Sequence, residues 1–222
     1  MKYRKIVQTE DGSSTLYIPE LNEHYHSVHG AVQESKHIFI QAGIEHVNCS
    51  EIAILEAGFG TGLNAYLSLQ NAEENQRHIL YHSFEKYPLL PEEVELLQYE
   101  NTEDDRSFPL FYRLHEAPWE EETAITPFFT LYKHQADFSE ACFDATFDLV
   151  FFDAFAPDVQ PHLWEEKVLE KFCRALKPGG IFVTYCVKGI VKQKLRHLGL
   201  TLERLPGPPG KREILRGKKE KD

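Results

Sequence analysis

The stretch ILEAGFGTGLNA, from Ile54 to Ala65, ends an apolar run on Glu56 and then sets Gly58, Gly60 and Gly62 at alternate positions. Missing side chains at that spacing let a backbone turn tightly or pass close to a ligand. The carboxylate just ahead of them suits a cationic group. A dinucleotide-binding turn would need its third glycine at position 63, where Leu63 stands, so the pyrophosphate fingerprint fails by one residue. A second acid, Glu85 in HSFEK, closes another apolar run, where a carboxylate can accept from paired hydroxyls. A third, Asp137 in HQAD, stands where it can accept from an amino group. The sharpest feature is FFDAFAP: Asp153 follows Phe147 to Phe152, five of whose six residues are apolar. A carboxylate emerging from so apolar a strand is partly desolvated and suited to acid–base or orienting work. Phe155 offers a ring face to a planar base. The plainer role for Asp153 is to cap a helix beginning near Pro161, but that spacing is too long for an N-cap.

These residues need elements that bring them together. YRKIVQTEDGSSTLYIPE has a β-rich run on each side of DGSS and predicts a hairpin, followed by a helix over AVQESKHIFIQAG that stops at Gly43. From there the pattern alternates. IAILEA, ILYHSFEK, FFTLYKHQ, FDLVFFDAF and IFVTYC read as strands; LNAYLSLQNA, PEEVELLQYE, HLWEEKVLEKFCRALK and IVKQKLRHLG read as helices, the third ended by Pro178-Gly179-Gly180. LTLERLPG and KREILRG are two last strands joined by PGPPG, too close for a crossover and therefore antiparallel. Residues 101–126 are polar and aromatic and carry no clear period. Alternating strands and helices imply a mostly parallel sheet covered on both faces, with ligands outside the carboxyl ends of the strands. Every acid singled out above sits at such an end.

The chain of 222 residues can bury a substantial core. No apolar run approaches the roughly 18 residues of a membrane span, and the N-terminus has no apolar segment of a secretory signal. Cys49, Cys142, Cys173 and Cys186 form no C-x-x-C pair and predict reduced, mostly buried thiols in a cytoplasmic protein. His24, His26 and His29 lack cysteine or acidic ligands at familiar spacing, so no metal is expected. The net charge of −11 is unevenly spread. From Lys188 onward there are 11 Lys and Arg against 4 Asp and Glu; the first 187 residues hold 13 against 31. A basic face for nucleic acid and a solvated basic tail both fit that asymmetry.

The E-x-G-x-G-x-G turn resembles the first motif of methyltransferases that bind S-adenosylmethionine. Together, HSVHGAVQESKHIF, GFGTGLN, SFEKYPL, FFDAFAP and GKREILRG resemble the tRNA 5-aminomethyl-2-thiouridine methyltransferases, stand-alone or as the N-terminal half of a bifunctional protein, over roughly Tyr25 to Gly217. The resemblance implies an α/β fold of the Rossmann-like class I methyltransferase type: a mostly parallel seven-stranded sheet with one antiparallel strand. Residues 1–48 would form an N-terminal hairpin and helix extension, and residues 49–222 the S-adenosylmethionine-dependent domain. It implies transfer of a methyl group to the exocyclic amine of 5-aminomethyl-(2-thio)uridine at the wobble position of tRNA. The partner would be the anticodon stem-loop, with no membrane, no metal, and a monomer favoured. The chain has no room for the family's FAD-dependent oxidase half and is expected to act without it. Asp153 maps onto the catalytic position. Glu56, Gly58, Gly60, Gly62, Asn64, Glu85, Lys86, Asp137 and Asp153 would face the cofactor. His26, Ser27, Phe155, Tyr185, Lys188, Lys211 and Arg212 would face the substrate. TYCVKG departs from the small hydroxyl residues of relatives after the fifth strand. Two other readings stay open: a methyltransferase or aminopropyltransferase acting on a small amine, and a non-catalytic RNA-binding module.

Overall fold

The computed structural model describes residues 3–97, 99, 108–141, 143 and 146–221. At the N-terminus, β1 (Lys5–Gln8) and β2 (Ser14–Ile18) form the expected antiparallel hairpin, and the short β3 (Glu23–His24) adds a third strand. Asp11 makes the turn: Oδ1 accepts from the Thr9 hydroxyl at 2.6 Å and the Ser13 N–H at 3.0 Å, and Gly12 takes a φ of 82°. The helix that follows begins as α1 (Ala31–Ser35) and widens into a π-helical stretch, Lys36–Gln41.

The main sheet is built from β4 (Glu51–Ala57), β5 (His78–Phe84), β6 (Glu122–Thr126), β7 (Phe129–His134), β8 (Phe147–Phe152), β9 (Leu176–Thr184), β10 (Leu200–Pro206) and β11 (Glu213–Lys219). Its order is β10-β11-β9-β8-β4-β5-β7-β6. The first seven strands of that order form the expected sheet, with β11 antiparallel to both neighbours. An eighth, β6, is added at the edge, antiparallel to β7. α2 (Leu63–Asn75), α3 (Pro91–Glu95), α4 (Phe108–Glu116), α5 (Glu166–Ala175) and α6 (Gly189–His197) complete it.

β8 earns its central place through composition. Alternate side chains enter two cores, one on each face of the sheet. Phe151 packs against Phe39, ring centroids 4.9 Å apart, while Phe152 meets Trp164 at 4.9 Å and Phe172 at 5.1 Å on the other face. The parallel strands run in register, Ala57 beside both Phe84 and Phe152, so β4, β5 and β8 end on one line.

Several details differ from the expectation, among them the end of α3 at Glu95, short of the full PEEVELLQYE. α5 stops at Ala175, and β9 runs straight through Lys177-Pro178-Gly179-Gly180. Gly180 serves a close approach to β8: a Cβ there would lie 3.2 Å from the Asp148 carbonyl oxygen and 2.9 Å from that of Lys177. The unread stretch supplies α4 and β6, with residues 101–107 outside the described residues. Cys173 and Cys186 are buried thiols, but Cys49 is exposed; Cys142 lies outside the described residues. Among the described residues, no helix is long and apolar enough to cross a membrane.

Phe152 fills the core beneath the strand end that carries Asp153. Phe152→Ala is expected to destabilise the protein by about 3–5 kcal/mol, read as a lowered urea midpoint. A loss below about 1 kcal/mol would contradict this packing.

Candidate functional site

The residues just past the ends of β4, β5, β7, β8 and β9 converge on one cavity of ≈ 650 Å³, at the crevice where the sheet order turns from β4 to β8. Gly58, Gly60, Asn64, Glu85, Lys86, Asp137, Asp153, Phe155 and Tyr185 line it, as do His26, Ser27 and Lys211. The N-terminal segment closes it from above. The Tyr25 ring lies over the glycine turn, where a Cβ on Gly60 would come within 3.1 Å of it, and packs edge-on to Phe155 at 5.1 Å. Arg4 anchors that segment by reaching Glu93 at 2.7 Å and the Tyr87 carbonyl at 2.5 Å.

Four predicted residues fall outside the lining, each for a visible reason. Glu56 is fully buried behind Asn64. Gly62, with φ at 75°, starts α2; a Cβ there would strike His115 Nε2 at 2.8 Å, so the glycine serves packing under the turn. Lys188 pairs with Asp158. Arg212 is exposed and, like Lys211, precedes β11 rather than opening it. Much of the C-terminal basic excess is likewise engaged locally: Arg216 with Glu203 at 2.7 Å, Arg204 with Glu213 at 3.5 Å, and Lys219 on the Leu176 carbonyl at 2.7 Å. One cavity residue left no trace in the sequence. Glu34 in α1 reads as an ordinary helix-surface acid, yet it lines the cavity and is 8% exposed.

At the centre, one amide serves two acids. Asn64 Nδ2 donates to Glu56 Oε1 at 3.0 Å and to Asp153 Oδ2 at 2.8 Å. Burial pushes Glu56 up to about 8, against the lowering effect of the Ser83 hydroxyl at 2.6 Å and of Asn64. Asp153 lines the cavity and is half-buried. Desolvation pushes it up to about 7, Asn64 opposes the shift, Glu34 adds to it and Lys211 subtracts from it. The residue does not cap the turn at Pro161–Trp164, whose N-cap is Gln160. Glu85 accepts the Gly60 N–H at 3.0 Å and the Tyr87 N–H at 2.8 Å; each oxygen keeps a lone pair for a ligand. Asp137 accepts from Ser139 N at 2.9 Å and from Lys86 Nζ at 2.9 Å. His26 is pushed down to about 4 by desolvation and is neutral at physiological pH.

Six buried polar atoms of cavity-lining residues have no hydrogen-bond partner among the described residues: Arg4 Nε, His26 Nδ1, Glu34 Oε1, Ser35 Oγ, Thr61 Oγ1 and Asn64 Oδ1. Two are obligate acceptors, the neutral imidazole nitrogen and the two hydroxyls can also accept, and Arg4 Nε is a donor. Such a lining fits a ligand that brings donors and positive charge, as the sulfonium and ammonium of S-adenosylmethionine do. Among the described residues, no group of three or more His, Cys, Asp or Glu could hold a metal ion.

Comparison with known proteins bears out the resemblance drawn from the sequence. A family model described as S-adenosyl-L-methionine-dependent methyltransferase matches residues 130–220. The chain is similar to bifunctional proteins of tRNA 5-methylaminomethyl-2-thiouridine biosynthesis. It is 29% identical to that of Leptospira borgpetersenii over 87% of this chain and 32% of the relative. The protein from Azoarcus is 28% identical over 94% of this chain and 34% of its own length. The chain thus spans about a third of the length of the curated relatives it matches. Among solved structures, MNMC2 from Aquifex aeolicus superposes with a TM-score of 0.82 at 26% identity, covering 100% of this chain and 72% of that one. A probable spermidine synthase from Corynebacterium glutamicum, at 17% identity and a TM-score of 0.53 over 97% of this chain and 76% of its own, shares the fold.

The raised acids make stability depend on pH. A carboxyl lifted from its ordinary range to about 7 holds its proton in the folded state; its contribution is full below about 4 and is lost as pH rises through 7. Asp153→Asn is therefore expected to raise stability at pH 8, by roughly 1–3 kcal/mol because the cavity admits water, and to leave it little changed at pH 4. Glu56 keeps its own share of the slope. Identical slopes for the variant and the parent protein in urea titrations between pH 4 and 8 would show that Asp153 is an ordinary carboxylate.

Proposed function

We propose that this protein transfers a methyl group from S-adenosylmethionine to the exocyclic amine of 5-aminomethyl-(2-thio)uridine at the wobble position of tRNA, giving the 5-methylaminomethyl product. The observation that carries the reading is the carboxyl group of Asp153, raised by desolvation and held by Asn64 in the same cavity as the glycine turn at Gly58 and Gly60. The similarity to proteins of 5-methylaminomethyl-2-thiouridine biosynthesis supports the choice of substrate. In this reading residues 1–48 are an extension that roofs the pocket of a methyltransferase unit spanning 49–222. A tRNA substrate puts the reaction in the cytoplasm.

S-adenosylmethionine supplies a methyl carbon already activated by a sulfonium leaving group, so the task left to the chain is alignment. Gly58 and Gly60 allow close backbone approach, Asn64 Oδ1 and Glu85 offer acceptors to the cofactor's ammonium and hydroxyls, and Asp137 with Lys86 borders the adenine end. Glu56 acts from behind by holding Asn64. Asp153 accepts an N–H of the substrate amine and keeps its lone pair in line. With its carboxyl at about 7, Asp153 can also take the proton that the ammonium must lose before attack. Phe155 and Tyr185 present faces to a base splayed out of the anticodon loop. Exposed Arg196 and Arg212 are available to backbone phosphates, so binding should weaken as salt rises.

The test is incubation with labelled S-adenosylmethionine and tRNA from cells lacking the modification, followed by nucleoside mass spectrometry. The methylaminomethyl nucleoside should appear. Asp153→Ala should lower kcat at least about 100-fold, with cofactor affinity within several-fold by calorimetry. Normal turnover by that variant would remove the assignment. Methylation of a free polyamine with none of tRNA would replace the reading with a small-amine enzyme, and tRNA binding without cofactor binding would leave a non-catalytic module.

A further inference from the structure

Glu34 and Lys211 stand side by side on the cavity wall, and each is held from outside it. Glu34 lines the cavity, and its Oε2 accepts the Ser27 N–H at 2.7 Å, which leaves Oε1, itself buried, beside Lys211. Lys211 comes from the turn between β10 and β11, and its ammonium lies 4.9 Å from the centre of the Tyr185 ring. The turn itself is tied to the N-terminal segment: His37 Nε2 lies 2.8 Å from the Pro206 carbonyl oxygen, and Gly210 packs against His29. Tyr185 is fixed by donating its hydroxyl hydrogen to the Ala154 carbonyl at 2.8 Å. The two charged atoms are 3.1 Å apart, yet Oε1 receives no aligned hydrogen bond. The wall therefore offers one donor beside one acceptor, neither saturated by the other.

A donor beside an acceptor is the complement of a ring edge that carries an acceptor next to an N–H. We propose that Lys211 and Glu34 together read the Watson–Crick edge of the target base, Lys211 donating to O4 and Glu34 accepting from N3–H, and so restrict the enzyme to uracil. This rests on the function proposed above, because the C5 arm fixes the register: with its amine at Asp153, the adjacent C4 carbonyl comes next along the edge and N3–H after it. Asp153, Glu34 and Lys211 all line this one cavity. Cytosine in the same register turns an amino donor toward the ammonium and a bare N3 toward the carboxylate, so both contacts become repulsive. A flipped base read by hydrogen bonds at this edge and by aromatic stacking is a general solution for enzymes that modify bases. In the free protein the two groups serve as each other's counter-ion.

The experiment uses three anticodon stem-loop RNAs carrying 5-aminomethyluridine, its N3-methyl derivative or 5-aminomethylcytidine at the wobble position, with kcat and KM measured for each. The parent protein should lose on the order of 100-fold in kcat/KM on the second and third RNAs. Glu34→Ala should lose a similar factor on the first RNA and should no longer distinguish it from the N3-methyl derivative. Equal turnover of all three RNAs by the parent protein would overturn the proposal. So would a Glu34→Ala defect of the same size on every substrate, which is the mark of a merely structural role. The parent-protein comparison needs no variant and stands even where Glu34→Ala weakens the fold. No transfer to any of the three RNAs would overturn the functional reading itself, and this inference with it.

Discussion

One side-chain amide holds two acids at the point where the central strands end. Asn64 donates both of its hydrogens to carboxyl groups, one on β4 and one just past β8. Both acids are desolvated, and both are pushed toward the neutral form by it. Two unshared negative charges at that depth would be costly, and the amide reduces the cost without neutralising either group. The price is a carboxyl that is half-committed to its proton near neutral pH. For the proposed transfer from a cationic donor to an amine, that is a usable property: the group can hold an N–H or accept a proton with little change elsewhere.

The rest of the fold serves to keep this pair in place. The parallel register of β4 with β5 and β8 delivers Gly58, Glu85 and Asp153 to a single edge. The apolar alternation of β8 buries that strand from both faces, so its end is held by two cores. The N-terminal segment then covers the site through Tyr25 and through the contacts of His29, Glu34 and His37 with the β10–β11 turn. The opening of the cavity is thereby built from parts distant in sequence, the beginning and the end of the chain.

The strand ends were legible because each announces itself locally. An apolar run that stops on an acid, as at Phe152-Asp153 or Phe84-Glu85, needs no tertiary information to be read. The same is true of glycines at 58 and 60, where the backbone must turn tightly. What could not be read depended on partners far away. Glu56 carries the same local signature as Glu85, yet Ser83 and Asn64 draw it into the interior. Gly179 and Gly180 look like a helix stop, but the helix has already ended; β8 uses the space left at Gly180 and the Lys221 side chain that at Gly179. Glu34 sits in a helix with nothing to set it apart until Ser27 and Lys211 close around it. The basic tail looked like a free surface, and several of its charges turn out to be spent on nearby acids and carbonyls.

The account stands or falls on how a sulfonium donor lies in this cavity, and a crystal structure of the complex with S-adenosylmethionine tests that most directly. The expected result places the adenosyl hydroxyls at Glu85, the amino-acid end by the glycine turn and Asn64, and the methyl carbon facing the carboxyl group of Asp153. A donor bound outside this crevice, or a methyl carbon turned away from Asp153, would contradict it.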